Sequence, residues 1–343
     1  MLDAIAKGTS RVARSPGLVV LLLAVNVVSA ALLAVPLART LEADLRHTDA
    51  ARGMVHGFDF PWWSQWSDAQ HGWTSSFTPD VFGVGFAFRN VDLLLRGYLP
   101  AGLFVTREPE PPGGGAGAGE GAAGVDPVIL ALGAAYLVLQ TFLAGGVLAT
   151  LRGPRGSWTM RGLLHGSGFY FGRFLRLAVL ILAVDFVLFR LNAPLSRWAD
   201  HRAREAVSEG TAQAWLLGRH ALLLLAILWV NMVSGYAKAI VVLEERASAA
   251  LALLSALSFA LARPLRAFGH YLTIAALGVA LLAAWNAVDS RWETVGYASQ
   301  MVTLFLAQGL MAGRIALRLV LWAGQIVLLR RFAQAPWDAV PSP

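Results

Sequence analysis

Apolar positions in this chain fall in long unbroken blocks, with polar residues confined between them. Six blocks reach the length of about 20 residues that a helix needs to cross roughly 30 Å of hydrocarbon. They run over Gly17–Leu37, Pro127–Leu151, Phe174–Pro194, Ala214–Ala237, Tyr271–Val288 and Gln300–Leu329. None shows the ten-residue in–out alternation of a barrel strand, so the pattern predicts helices. The last block is long enough to tilt or to extend past the bilayer. The first follows Lys7, Arg11 and Arg14. It exceeds the 7–15 apolar residues of a secretory-signal core, which predicts a retained anchor.

The expected architecture is an all-α polytopic membrane protein of six transmembrane helices, with interfacial amphipathic helices and a long aromatic-rich outer loop. Residues 1–16 form an N-tail and 17–37 the first span; 38–126 make the outer loop, 127–331 a five-helix bundle and 332–343 a C-tail. Within the outer loop, Thr40–Val55 has helical spacing of Leu41, Leu45 and Ala50, and Val84–Leu99 is apolar on one face. Residues 107–124, rich in Gly and Pro, read as a flexible tether. No strand precedes those glycines and no Gly-Lys-Ser/Thr follows, so a phosphate-cradling loop fails on context. Two short apolar segments, Ser157–Tyr170 and Ser248–Ala262, each precede an Arg-x-Leu-Arg run at Arg173–Arg176 and Arg263–Arg266. This predicts an in-plane helix followed by a span, used twice.

Composition strengthens this reading. Hydrophobic residues make up 57% of the 343 and charged residues only 14%, against about 45–50% and about 25% in soluble domains. With no cysteine, the chain holds neither a disulfide framework nor a cysteine-based metal or redox centre. The net charge of +7 comes mostly from arginine. Those residues flank the apolar blocks instead of forming a basic run interleaved with aromatics, so nucleic acid is not an expected partner.

The arginines also orient the chain. Counting near span ends, 14 Arg and Lys fall on the side shared by the N-tail, the second and fourth connections and the C-tail; six fall in the short connections opposite. The positive-inside rule predicts both termini on the cytoplasmic side, and the heavy use of Ala, Arg, Gly and Leu, as from a GC-rich bacterial genome, makes a bacterial inner membrane the expected location. The long first loop, with 11 acidic and 6 basic residues, carries no vote because loops above about 60 residues translocate regardless.

Candidate chemistry is sparse. The outer loop gathers Trp62, Trp63, Trp66 and Trp73, an aromatic density suited to the membrane interface or to a partner surface. His56 and Asp59, then Asp68 and His71, are spaced as weak candidate metal ligands, though such spacing arises easily by chance. Asp185 is the one carboxylate deep in a block. It lies 12 residues from Arg173, and Arg318 lies 12 from Arg330, with Arg314 one turn away. At 1.5 Å per residue both depths are about 18 Å, so an Asp185–Arg318 or Asp185–Arg314 pair is expected. No nucleophile elbow, zincin motif or intramembrane aspartate pair occurs, so no enzyme and no cofactor is expected.

A resemblance rests on Gly57–Trp62 (Gly-Phe-Asp-Phe-Pro-Trp), Thr78–Gly83 (Thr-Pro-Asp-Val-Phe-Gly), Gly168–Arg176 and Tyr236-Ala237-Lys238. These segments resemble an uncharacterised family of bacterial six-span integral membrane proteins. The layout is similar, more distantly, to the membrane domain of bacterial glycerophosphodiester phosphodiesterases. That likeness implies an architecture and no reaction, since no phosphodiesterase domain accompanies it. Three functions stand open: a non-enzymatic protein organising a lipid environment or a membrane or periplasmic partner; a permease or channel for a small, anionic solute using Arg314 and Arg318; and, last, a lipid-acting enzyme.

Overall fold

The computed structural model describes residues 2–46, 48–53, 59–70, 73–74, 127–153, 158–289, 291 and 296–333. Among them every regular element is a helix: α1 (Leu2–Ala13), α2 (Pro16–Leu45), α3 (Ala50–Gly53), α4 (Phe60–Ala69), α5 (Pro127–Arg152), α6 (Met160–Arg204), α7 (Glu209–Leu243), α8 (Ala249–Ala262), α9 (Pro264–Asp289) and α10 (Tyr297–Ala333). Five of these, α2, α5, α7, α9 and α10, are long and apolar enough to cross a membrane. Their side chains are not hidden in a core: Val20, Val28, Leu32, Val279 and Phe305 are all exposed. Apolar rows displayed outward at this density fit hydrocarbon and not water, which marks a multi-pass membrane protein.

Contacts divide the chain into two compact units. The first comprises residues 1–33, 138–185 and 224–343. Its centre is the stretch Met232–Val242 of α7, where Met232, Tyr236, Ala237, Ala239, Val241 and Val242 are fully buried. A helix buried on nearly every side, Ser234 included, sits inside a bundle. Around it, small residues let helices close up. Gly145 and Gly146 of α5 lie against the backbone of α6 at Leu163 and Gly166, where any Cβ on Gly146 would collide with Leu163 O. In α8, Ala249, Ala252, Ala256 and Ala260 form the buried face, while Leu251, Leu254 and Leu261 point outward. The N-tail is no loose tail. It folds as α1 and packs along α10 through Ala4, Gly8 and Val12, a row at i, i+4, i+8.

The second unit comprises residues 34–137 and 186–223. Its small core sets Leu37 and Leu41 of α2 against Trp62, Trp63 and Trp66 of α4, with Trp73 alongside. Asp59 begins α4 as its N-cap, its carboxylate accepting from Trp62 N at 3.1 Å, and Pro61 occupies the first turn, where no backbone donor is needed. Trp198 of α6 and Trp215 of α7 meet edge to face at 5.1 Å.

Three sequence expectations change here. The blocks ending at Leu37 and Pro194 stop short of the helices, because Pro36 and Pro194 are carried inside α2 and α6 without ending them. The helix expected over Thr40–Val55 is instead the last turns of α2 followed by the single turn of α3. The in-plane helix expected over Ser157–Tyr170 fuses with the block after it: α6 runs 45 residues unbroken. In the second copy the break is real, because Pro264 removes a donor and disfavours a helical Arg263, which sits at φ −140° as the α8 C-cap. No proline marks the corresponding place in α6. Val84–Leu99 and the 107–124 tether lie outside the described residues.

Candidate functional site

At the basic end of the first unit, arginines close the helix C-termini. A helix ends with four carbonyls lacking intrahelical donors and with partial negative charge, which a guanidinium satisfies on both counts. Arg11 donates to Leu151 O at 3.1 Å and Arg330 to Arg152 O at 2.7 Å, both at the end of α5. Arg152 in turn donates to Val242 O at 2.9 Å, near the end of α7, and to Glu245 at 2.8 Å. Arg173 donates to Glu245 O at 2.9 Å. Burial holds Arg11 below the usual guanidinium range, and the charge of Arg330 pushes it the same way.

These contacts frame a cavity of about 520 Å³, lined by Arg152, Arg263 and Arg330, by Glu244, and by apolar side chains including Phe259 and Phe332. The size lies within the 300–1,000 Å³ typical of small-molecule sites. Its charges are not balanced. Glu244 is held by Arg246, and Arg152 has Glu245. Arg263 instead lies over the Phe332 ring at 4.2 Å and near Phe259 at 5.8 Å, and forms no ion pair among the described residues. Arg266 stacks on the other approach to Phe332 at 5.2 Å. Such rings hold a guanidinium in place without neutralising it. The arrangement leaves Arg263 and Arg330 as a surplus of positive charge over an apolar floor.

Asp185 is half-buried on α6, and among the described residues no ion pair joins it to Arg314 or Arg318, the partners that equal spacing from the helix ends had suggested. Arg318 lies over Trp322 at 4.9 Å and borders a crevice with Asn26 and Gln140, whose side chains hydrogen-bond at 3.3 Å. The crevice holds about 30 Å³, room for one or two waters. Arg314 is exposed on the same helix.

Of the remaining candidates, the four tryptophans do come together. Trp62 and Trp66 stack at 6.0 Å, Trp63 lies 5.0 Å from Trp66, and the Trp66 indole donates to Asp44 at 2.7 Å. Asp59 serves as a helix cap and Asp68 is exposed; His56 and His71 lie outside the described residues. Among the described residues no cluster of three or more acidic or histidine side chains is arranged for a metal. The 520 Å³ cavity escaped sequence reading. Its one available signal was the Arg263-Pro264-Leu265-Arg266 run, which reads as an ordinary span boundary.

No family model, curated protein or solved structure matches the chain.

Proposed function

We propose that this chain is a non-enzymatic, six-span protein of a bacterial inner membrane, with both termini cytoplasmic, that organises or stabilises its lipid surroundings or a membrane partner. The sixth span is Phe174–Pro194 within α6, whose apolar faces are interrupted by Asp185 and Arg190. The observation that carries the reading is the cationic cavity at Arg152, Arg263 and Arg330, which has the size and charge to hold an anionic group. The tryptophan cluster on α4 supports it as well, since a packed aromatic group suits a membrane interface. The experiment is purification of the full chain in mild detergent, followed by mass spectrometry of co-purifying molecules. A stoichiometric protein or an enriched lipid class is expected; a lone, ligand-free monomer overturns the reading.

A permease for a small anion is the second reading, favoured by the crevice where Arg318 meets Asn26 and Gln140. Room for one or two waters is too little for a solute path in this conformation, which ranks the permease below the organiser. Anion efflux from proteoliposomes, lost in Arg318→Gln, would reverse that ranking.

A further inference from the structure

The cavity has a second compartment. Ser255, Phe259 and Arg263 line both the cationic cavity and a shallow groove along α8 that includes Leu251 and Leu254. The two spaces therefore adjoin, one cationic and one apolar. Helix α8 has 14 residues, about 21 Å at 1.5 Å per residue, too short to cross the hydrocarbon. Its alanine face is buried in the protein and its leucine face is open. A helix that buries its alanines in the protein and turns its leucines outward offers that face to acyl chains.

We infer that the cavity takes the phosphate of an anionic glycerophospholipid, held between Arg263 and Arg330, with the acyl chains laid along the Leu251 and Leu254 face of α8. The inference rests on the organiser reading and names its ligand. Charge selects the headgroup. Arg263 and Arg330, which have no carboxylate partner among the described residues, favour a phosphate, which accepts from a guanidinium fork at two points. An ethanolamine or choline ammonium would meet those same arginines as a like charge. Glu244, the carboxylate among the described lining residues, is already held by Arg246, and both phenylalanine rings already carry Arg263. A net-negative headgroup therefore fits and a zwitterionic one does not. Juxtaposition with the groove selects a lipid over free phosphate, because only a lipid covers the leucines as well.

The test uses the full chain in maltoside micelles with three probes: phosphatidylglycerol, phosphatidylethanolamine of the same acyl chains, and inorganic phosphate. Native mass spectrometry reads retained lipid and thermal unfolding reads stabilisation. Phosphatidylglycerol should be retained at least tenfold better than phosphatidylethanolamine, and millimolar phosphate should not displace it. Arg263→Gln with Arg330→Gln should lower retention at least tenfold. Because Arg330 also caps α5, Leu251→Asn with Leu254→Asn provides a second variant on an exposed face. It should weaken lipid retention severalfold and leave lipid-free unfolding unchanged. Equal retention of the two lipids, displacement by phosphate, or full retention in the leucine variant would overturn the inference. If a protein partner co-purifies while phosphatidylglycerol is not retained, this inference falls and the organiser reading stands. If phosphatidylglycerol binds in vitro but nothing accompanies the chain from membranes, the organiser reading falls instead.

Discussion

Gly8 of α1 lies directly against the α10 backbone: a Cβ added there would sit 2.9 Å from Val320 O and 3.2 Å from Gly324 N. Both obstacles are main chain, so relief requires a helix to move. Ala in place of Gly gains about 1 kcal/mol of helix propensity, whereas overpacking of this kind costs roughly 1–3 kcal/mol. Gly8→Ala should therefore lower stability by about 1 kcal/mol. Gly133→Ala in α5, where nothing lies within 4 Å, should instead raise it by up to about 1 kcal/mol. Thermal unfolding of both variants in one detergent decides the matter. A stabilising Gly8→Ala would mean that α1 is not docked.

The tryptophan cluster of α4 is tied to α2 by a polar contact. Trp66 is 6% exposed and its indole N–H has Asp44 as acceptor. Replacing it by Phe keeps most of the packing and loses that hydrogen bond; Asp44 is exposed and water takes the donor's place, so the cost should be about 1 kcal/mol. Asp44→Asn retains an acceptor oxygen and should cost less than half as much. Comparing the two unfolding curves checks this, and equal losses would locate the stabilisation in packing alone.

Asp185 stands in an apolar stretch of α6 and forms no ion pair among the described residues. A carboxylate near a helix centre costs about 2.5–3.5 kcal/mol on insertion scales, so its removal should help. Asp185→Asn is expected to leave the fold intact and to raise thermal stability. The exchange Asp185→Arg with Arg318→Asp should be worse than either single change, since no pair is re-formed. Recovery to wild-type stability in the exchange would show that the two residues do meet.

The contrast between Asp185 and Arg263 marks what sequence can convey here. Block length and residue count give a residue's distance from its own helix end, so the spacing of Asp185 from Arg173 and of Arg318 from Arg330 was legible. Which way each helix is turned depends on close approaches such as Gly146 on Leu163 or Gly235 on Gln325, which arise only when distant segments pack. The arginines at the block ends were legible as topological signals, but their bonds to the carbonyls of Leu151, Arg152 and Val242 were not, because each joins residues at least 90 positions apart. Local chemistry acts where it is strong: Pro264 breaks the chain after α8, and Asp59, read from sequence only as a candidate metal ligand, opens α4 as its cap.

Glu245 shows two local effects in opposition. It adopts φ 51°, the one non-glycine residue with positive φ among the described residues, and this turns the chain just beyond the end of α7. A side chain in that conformation costs roughly 1–2 kcal/mol, a penalty that glycine avoids. In exchange its carboxylate pairs with Arg152 at 2.8 Å, but both side chains are substantially exposed, so the pair contributes only about 0–1 kcal/mol. Its carbonyl, the acceptor for Arg173, survives any substitution. Glu245→Ala keeps the strain and loses the pair, and should lower stability by up to about 1 kcal/mol. Glu245→Gly loses the pair and relieves the strain, and should match or exceed the wild type. The order Gly, then Glu, then Ala in unfolding temperature follows if backbone strain dominates. If Glu ranks above Gly, the Arg152 bridge outweighs the strain, and this end of α7 is held chiefly by its charge pair.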